Sequence, residues 1–367
     1  MYDPALKFNV TKQFEDFSLN CDAEIGNGIT AIVGPSGHGK TTLLNCIAGV
    51  TLPDSGEIEI FGDIVFSSDK STNVPPEKRR LGYVFQQSVL FPNMNVQQNI
   101  MYGYKMTSIE CRRLHPEFLM ELFGLSDMKT RHVKTLSGGQ AKLVSLARVL
   151  ATSPKILLLD EALTSLDRGF KGTVMKYLKL LKKEFEMSMI YVSHSMSEVM
   201  AMADNVLVLM DGRKKTYGVP SQVLVDYDVA NMPGASDYEN IIEAKIISAC
   251  NGDNGAAELK IGATSLLVQN VYREVGETVL ISIRAKDIMI ALEEPVKIST
   301  RNIASAIVED IHVIGSRIIV FIDVGVRVIS EITISAFSDL GFCKGDRVNL
   351  IINTGNIAVL DTISNKR

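Results

Sequence analysis

Short, continuous apolar runs alternate with amphipathic stretches over the first two-thirds of the chain. The apolar runs lie at 28–33, 155–159, 188–192 and 205–210, and the amphipathic stretches at 41–48, 140–150 and 170–185. A short apolar run between turn residues is typical of a buried strand, and apolar residues at helical spacing are typical of a helix packed on a sheet. The alternation therefore predicts an α/β fold with a mostly parallel sheet that is covered on both faces.

The pattern changes near residues 231–236, where the sequence Asn-Met-Pro-Gly-Ala-Ser is typical of a linker. Beyond it the apolar runs are short, rich in β-branched residues and separated by turns that contain glycine. We therefore expect two domains, an α/β domain at 1–235 and a smaller all-β domain at 236–367.

A weak internal repeat runs through the second region. Asn240 and Asn302 open one pair of similar segments, and Gly276 and Gly345 open another. The second pair is spaced slightly more widely than the first, and loop insertion accounts for the difference. We expect two related halves, each a small barrel with an edge element.

The composition narrows the range of functions. The chain is 46% hydrophobic and 22% charged with a net charge of -4, so it is globular and carries no overall basic surface for nucleic acid. Its cysteines and histidines are scattered, which disfavours a disulfide framework or a zinc site and indicates a reducing, cytosolic setting. No apolar run approaches the roughly 18 residues that span a bilayer, and the N-terminus lacks the apolar centre of a signal peptide.

A phosphate-binding loop follows the first of the apolar runs. Residues 34–41 fit the pattern G-x-x-x-x-G-K-[ST] between a strand and a helix, which is the context that the pattern requires. Backbone N–H groups converge on phosphate in such a loop, Lys40 reaches the β- and γ-phosphates, and Thr41 binds Mg²⁺. The alternative is a glycine-rich turn that only caps a helix. The candidate nucleotide-binding residues are Gly34, Pro35, Ser36, Gly37, His38, Gly39, Lys40, Thr41 and Thr42.

A pair of carboxylates, Asp160 and Glu161, ends the apolar run at 155–159. At the carboxyl edge of a sheet, Asp160 can hold Mg²⁺ through water and Glu161 can polarise an attacking water molecule. Alone, such a pair is more often a solvated strand end. Beside a phosphate loop we expect it to take part in phosphate chemistry.

A third motif, Leu136-Ser137-Gly138-Gly139-Gln140, precedes the carboxylate pair in the chain. Together the three motifs resemble the ABC-transporter ATPases over the whole first domain. The resemblance implies a P-loop NTPase fold with a helical subdomain at about 88–152, and ATP hydrolysis with Mg²⁺. It implies these catalytic residues: Lys40, Gln86, Glu161 and His194. It implies these metal ligands: Thr41, Gln86 and Asp160.

The resemblance also implies an arrangement of two copies. In this family the signature residues face a nucleotide held by the other subunit, so that two ATP molecules are sandwiched in a head-to-tail homodimer. The residues implied for that contact are Ser137, Gly138, Gly139, Gln140 and, in the D-loop, Asp167. An upstream aromatic residue usually stacks on the adenine. Phe14 is the candidate, with Phe17 behind it, and the alternative is that Phe14 belongs to the core.

The sequence departs from the family's pattern at three places. His38 stands in the phosphate loop where Ala, Cys or Ser is more frequent, and Ala162 follows the carboxylates where Pro is usual. After the signature, Ala141-Lys142-Leu143 replaces a polar and basic series. None of these departures removes a catalytic group.

The second domain indicates a branch of the family. Residues 275–288 resemble the oligonucleotide-fold accessory domain of bacterial solute importers, and residues 90–100 also resemble importers. The chain is then expected at the cytoplasmic face of the membrane, bound to a separate permease whose cytoplasmic helix docks near residues 86–100. An extracytoplasmic solute-binding protein would be an indirect partner, and nucleic acid would not be one.

Residues 76–86 and the run Ser299-Thr-Arg301-Asn302 most resemble the ATPase subunits of molybdate importers. Ser299, Arg301 and Asn302 are the candidate ligands for a tetrahedral dianion such as molybdate or tungstate. The alternative is a strand entry with a solvated arginine. Residues 352–357 lack the lysine that is usual in such a barrel, which weakens the expectation that this domain binds oxyanion.

Rival functions remain open at this point. Sulfate, ferric iron, polyamine and sugar importers share every ATPase motif. A soluble ABC-type ATPase of DNA repair or of ribosomes would need a coiled-coil insertion or tandem ATPase halves, for which Lys40 to Ser137 leaves no room. A non-enzymatic oxyanion store is disfavoured by the intact ATPase motifs.

Overall fold

The computed structural model describes residues 4–163, 166, 168–223, 229, 238–249, 256–269, 271 and 274–360, with backbone alone at 168–170 and 249. Within it, the chain forms two compact units. The first is Met1–His194 with Met202–Val223, and the second is Ser195–Ala201 with Leu224–Arg367. The predicted boundary at 235/236 lies outside the described residues. No helix in the described part combines the length and apolarity needed to cross a bilayer.

One eleven-stranded sheet forms the framework of the first unit. Its strands are β1 (Leu6–Gln13), β2 (Ser18–Ile25), β3 (Ile29–Val33), β4 (Ser55–Ile60), β5 (Asp63–Ser67), β6 (Thr72–Asn73), β7 (Leu81–Val84), β8 (Ile156–Asp160), β9 (Ser188–Val192), β10 (Asn205–Met210) and β11 (Arg213–Gly218). They lie in the order β6-β5-β4-β1-β2-β11-β10-β3-β9-β8-β7. From β7 to β10 all neighbours are parallel, whereas β1, β2, β4, β5 and β6 form an antiparallel part.

Burial explains the two kinds of strand sequence. β3, β8 and β9 are buried at every position, so their sequences are continuously apolar, as a parallel strand covered on both faces requires. β2 alternates exposed and buried positions, as an antiparallel strand with one solvated face does. The observed sheet therefore confirms the α/β fold that the apolar runs predict for the first domain.

Helices connect the strands of the sheet. They are α1 (Lys40–Ala48), α2 (Val96–Met106), α3 (Pro116–Leu122), α4 (Gly138–Leu150), α5 (Arg168–Phe185), α6 (Met196–Met202) and α7 (Pro220–Val223). Helices α2, α3 and α4 lie within the range 88–152 that was expected to be helical. A capping box begins α4, because the Ser137 hydroxyl accepts from the Gln140 N–H and the Gln140 side chain accepts from the Ser137 N–H.

Ten antiparallel strands make up most of the second unit. They are β12 (Glu239–Ala249), β13 (Ala257–Ile261), β14 (Thr264–Val268), β15 (Thr278–Arg284), β16 (Ile288–Ala291), β17 (Asn302–Ile314), β18 (Arg317–Asp323), β19 (Arg327–Thr333), β20 (Arg347–Ile352) and β21 (Ile357–Val359), with helix α8 (Ile334–Leu340) between β19 and β20. They form two five-stranded sheets, β14-β13-β12-β15-β21 and β16-β20-β17-β18-β19. The predominantly β character expected for this region is confirmed.

Each of these sheets takes one strand from the other half of the unit. In chain order β12–β16 precede β17–β21, yet β16 pairs with β20 and β21 pairs with β15. One hydrophobic core joins both sheets, with Ile281 and Ile352 among its buried residues. The second unit is therefore built as two halves with exchanged last strands, and not as two separate barrels.

Two buried asparagines occupy equivalent positions in the interlocked halves. The Asn240 carboxamide accepts from the Ile329 N–H at 2.7 Å and donates to the Ile329 carbonyl at 2.8 Å. The Asn302 carboxamide makes the same pair of bonds to Leu267, at 2.7 and 3.0 Å. The two asparagines are separated in the sequence by the same number of residues as their partners, Leu267 and Ile329. The same pair of hydrogen bonds therefore joins each half to the edge strand of the other.

Candidate functional site

Four neighbouring parallel strands end at one edge of the large sheet. In spatial order they are β7, β8, β9 and β3. Gln86 follows β7, Glu161 follows β8, His194 follows β9, and the loop at 34–39 follows β3. Because the carboxyl ends of parallel strands meet at the same edge, residues far apart in the sequence come together there.

Glycine is required at two positions of the loop at 34–39. A Cβ on Gly34 would lie 2.0 Å from the Leu209 carbonyl oxygen, and a Cβ on Gly39 would lie 2.6 Å from the Phe17 ring. Both residues have positive φ, 154° and 94°. The loop thus passes close to two neighbouring segments before it turns into α1.

Lys40 lies folded over this loop. Its Nζ donates to the Gly34 and Pro35 carbonyls, both at 2.8 Å. Burial lowers the pKa of Lys40, while the carboxylates of Glu161 and Asp160 act in the opposite direction. The ammonium is thus held by backbone carbonyls at the loop, where it can exchange these acceptors for phosphate oxygens. Of the other loop residues, Ser36 and Gly37 are exposed.

Asp160 is a buried carboxylate, 2% exposed, at the end of β8. The Thr41 hydroxyl donates to its Oδ1 at 3.2 Å. Burial raises the pKa of Asp160, and the hydrogen bond from Thr41 only partly offsets that effect. A hydroxyl and a carboxylate side by side, with the Gln86 amide near the same edge, are oxygen donors of the kind that Mg²⁺ takes. The residues present therefore fit this ion.

Glu161 is held at both oxygens of its carboxylate. The Gln86 Nε2 donates to Oε2 at 3.0 Å, and the His194 Nε2 contacts Oε1. The backbone of Glu161 has φ of 48°, a left-handed conformation that is uncommon for a residue with a side chain. One carboxylate thus stands at the sheet edge between an amide from β7 and an imidazole from β9, positioned to accept a proton from a water molecule.

The signature residues form the N-terminus of α4. Ser137 caps the helix, and Gly138 and Gly139 form its first turn. A Cβ on Gly138 would meet no atom within 4 Å. Backbone N–H groups at such an open helix end favour a bound anion. Asp167, predicted to act with this motif, lies outside the described residues.

Phe14 and His38 occupy the margins of the site. Phe14 is 43% exposed in the turn between β1 and β2, and its ring centroid is 6.3 Å from that of Phe17. Phe17, rather than Phe14, contacts the loop at Gly39. The His38 Nδ1 accepts from the Asp211 N–H at 2.8 Å, so this departure from the family's pattern ties the loop to the turn after β10.

The three candidate oxyanion residues of the second unit do not share one environment. Ser299 and Arg301 are exposed, whereas Asn302 is buried. Both ends of the Asn302 carboxamide bind the Leu267 backbone. Asn302 therefore joins two strands, and its side chain reaches an anion only if those bonds break.

Comparison with known proteins decides the family. The family model described as ABC transporter matches residues 17–164. The molybdenum import ATP-binding protein ModC of Paramagnetospirillum magneticum (strain ATCC 700264 / AMB-1) is 35% identical over 98% of this chain and 99% of its own length. The protein of the same name from Rhodospirillum rubrum is 34% identical over 95% of each. The chain belongs to the ABC-transporter ATPases.

Solved structures confirm the fold of this ABC ATPase. The structure of cbiO1 from Clostridium perfringens, part of the ABC transporter complex cbiONQ, has a TM-score of 0.52 and 28% identity, covering 62% of this chain and 93% of its own. The dimeric ATP-binding cassette MJ0796 bound to ADP and Pi has a TM-score of 0.51 and 26% identity, covering 59% and 98%. The P-loop NTPase fold and the ATPase activity expected from the motifs are those of the family.

One buried residue of the ABC ATPase near the site was named from the sequence only as a departure from the family's pattern, and not as a functional candidate. Lys142 is only 4% exposed, and its Nζ donates to the carbonyls of Phe85 and Gln86. The sequence held a signal for it, because Lys142 stands among Leu143, Val144 and Leu146 on an amphipathic helix. A charged residue within an apolar stripe needs a partner, and here the partner is the segment after β7.

Proposed function

We propose that the chain hydrolyses ATP to power the import of molybdate or tungstate. The observation that carries this proposal is the extent of the similarity. It runs over 98% of the chain at 35% identity, so it includes the second unit as well as the ATPase motifs that all importers share. Sulfate, ferric iron, polyamine and sugar remain the cargoes against which the proposal is tested.

The geometry of the sheet edge supports a role for each residue. The loop amides and Lys40 bind the phosphates, and Thr41, Asp160 and Gln86 hold Mg²⁺. When bound, Mg²⁺ neutralises charge on the phosphate oxygens. Glu161 takes the proton of the attacking water, and Gln86 and His194 orient its carboxylate through the contacts at Oε2 and Oε1.

The open end of α4 supports a homodimer. Ser137, Gly138 and Gly139 would bind the γ-phosphate of a nucleotide held by the second copy, with Gln140 and Asp167 beside them and Phe14 on the adenine. Dimeric structures of the similar cassette MJ0796 are consistent with this arrangement. The dimer would sit at the cytoplasmic face of the membrane on a permease that contacts residues 86–100, and a solute-binding protein would deliver the cargo.

Uptake of molybdate by cells that carry the chain with its native permease tests the cargo. We expect uptake with the parent chain that resists excess sulfate and ferric iron, and loss of uptake with Glu161→Gln. Glu184→Gln is the matched control, since Glu184 is exposed on α5. Competition by sulfate or ferric iron, or absence of molybdate uptake with the parent chain, would move the cargo to a rival anion or cation.

Ser299 and Arg301 are the exposed candidates for oxyanion contact in the second unit. Titration of molybdate into the full chain, compared with Arg301→Ala, tests them. Equal binding by both chains would remove Arg301 from the candidates.

A further inference from the structure

Lys142 is a cation on α4 that the nucleotide chemistry described above does not use. It lies one and a half turns into the helix that begins at the signature, and it is 4% exposed. Its Nζ donates to the Phe85 carbonyl at 3.2 Å and to the Gln86 carbonyl. An ammonium group is strongly disfavoured in a buried position unless its donors are satisfied, so these two bonds fix where the segment after β7 lies.

Two more side chains fasten the same segment. The Arg148 Nη2 donates to the Val89 carbonyl, and its guanidinium lies 4.9 Å from the centroid of the Phe91 ring. The Asn99 carboxamide, fully buried on α2, binds both the N–H and the carbonyl of Phe91. Residues 85–91 are thus attached through backbone atoms to α4 at two points and to α2 at a third.

The charge of Lys142 also faces the reacting edge of the sheet. Burial lowers its pKa, while the carboxylates of Asp160 and Glu161 favour the charged form. The residue whose carbonyl it binds, Gln86, donates its side-chain amide to Glu161 at 3.0 Å. One continuous set of contacts therefore runs from α4 through Lys142 and Gln86 to the Glu161 carboxylate.

We propose that Lys142 is a positioning residue of the ATPase, which holds the Phe85 and Gln86 carbonyls against α4 so that the Gln86 amide meets Glu161. The inference rests on the proposed role of Glu161 for its effect on turnover, but not for the tether itself.

Turnover of the full chain is the first test. Lys142→Met keeps the length and apolar stem of the side chain and removes its donors. We expect kcat to fall about tenfold with the KM for ATP changed less than about twofold, since the phosphate loop is untouched. Lys142→Arg keeps a cationic donor and should retain most of the activity. Lys183→Met, an exposed change of the same charge on α5, is the control, and a kcat for Lys142→Met equal to that control would overturn the proposal.

A double-mutant cycle tests whether Lys142 acts through Gln86. If it does, Lys142→Met added to Gln86→Ala should lower kcat by less than about twofold, because the side chain it positions is already gone. Losses that multiply would show that Lys142 acts by another route. Thermal unfolding of each variant separates this outcome from a general loss of stability.

The absence of tryptophan from the chain allows a direct test without nucleotide. Phe85→Trp introduces a single tryptophan, which can be excited selectively over the tyrosines, on the tethered segment beside Tyr83, whose ring centroid is 4.1 Å from that of Phe85. Adding Lys142→Met should raise the quenching of this emitter by acrylamide about twofold, whereas adding Lys183→Met should leave it unchanged. Unchanged quenching with Lys142→Met would refute the tether, whatever the uptake and turnover experiments show about Glu161.

Discussion

Polar side chains behave differently in the two units of the molecule. At the edge of the large sheet they bind one another or loop carbonyls, as Thr41 binds Asp160 and Gln86 binds Glu161. In the second unit they bind strand backbone, as Asn240 binds Ile329 and Ser330 donates to the Ile288 carbonyl at 2.7 Å. A side chain that binds the backbone within a core stabilises the fold. A side chain whose hydrogen-bond partner can be replaced by a ligand belongs to a binding site.

The two regions also differ in the charge of their buried polar groups. Asp160 is buried and its pKa is raised, because burial destabilises the ionised form of the carboxyl in the ligand-free protein. The asparagines and serine of the second unit are neutral and carry no such penalty. The sheet edge is therefore suited to binding a cation and phosphate, whereas the polar groups of the second unit stabilise its fold.

The largest effect is expected for Glu161→Gln. The amide keeps the shape of the side chain but cannot accept the proton of the attacking water, so kcat should fall by about 10² to 10³ while ATP still binds. Steady-state hydrolysis and nucleotide titration measure the two quantities. Turnover equal to that of the Glu184→Gln control would show that Glu161 takes no part in the chemistry.

Lys40→Ala should act on binding itself. Removal of the ammonium from the loop takes away a charged donor to the phosphates, so the affinity for ATP should fall about 100-fold. Calorimetric titration with ATP measures it, with Lys183→Ala as the exposed control. An affinity within a factor of two of the control would show that the loop amides alone hold the phosphates.

Asn240→Ala and Asn302→Ala should destabilise the second unit by similar amounts. Each leaves the N–H and carbonyl of one strand residue, Ile329 or Leu267, without its side-chain partner, at a cost of about 2 to 4 kcal/mol in the free energy of unfolding. Urea unfolding measures the loss, and the turnover of ATP reports on the first unit, where we expect no change. Unequal losses would contradict the equivalence of the two positions, and lost turnover would contradict the division between framework and site.

The smallest effect is expected for Asp160→Asn, and it has the opposite sign. Because the pKa of Asp160 is raised on folding, the folded chain binds that proton more tightly, and the free energy of unfolding falls as the pH rises through the region above the ordinary value of 3.8. The penalty grows as the pH rises from 3.8 toward the raised pKa of Asp160 in the folded chain. Without Mg²⁺ or ATP, Asp160→Asn should therefore raise Tm by roughly 1 to 4 °C at pH 7.5.

Thermal scans in chelator at pH 7.5 and at acid pH check this prediction. The gain should shrink toward zero as the pH approaches 3.8, because the parent carboxyl then becomes neutral too. A lower Tm for Asp160→Asn at pH 7.5 would mean that Lys40 and Lys142 stabilise the carboxylate more than burial destabilises it.

The sequence was sufficient to predict most of the sheet edge. Continuous apolar runs gave the parallel strands, and the residues that follow them had to meet because parallel strands end together. Glu161 followed from its place after such a run, whereas Gln86 and His194 were implied by the resemblance to the ABC-transporter ATPases. The sequence does not distinguish Phe14 from Phe17 as the aromatic residue nearer the phosphate loop. In the structure, it is the Phe17 ring that lies beside Gly39.

The strand exchange of the second unit could not be predicted from the repeat. Residues 288–291 and 357–359 are similar short apolar strands, and either could pair with β15 or β20 without changing the hydrophobic pattern. The choice depends on the path of the chain after each preceding strand. Lys142 stands out in the sequence as a charge within an apolar stretch, but its partners could not be predicted, because they are backbone carbonyls, which every residue has.

The exchange of β16 and β21 has a consequence for synthesis on the ribosome. Strand β15 is complete at Arg284, but its neighbour β21 begins only at Ile357. The first sheet of the second unit therefore stays without one edge strand until the whole intervening segment, including β17 to β20, has been translated and has left the exit tunnel. During that interval β15 exposes an unpaired edge, and the nascent chain is open to pairing with strands of neighbouring chains.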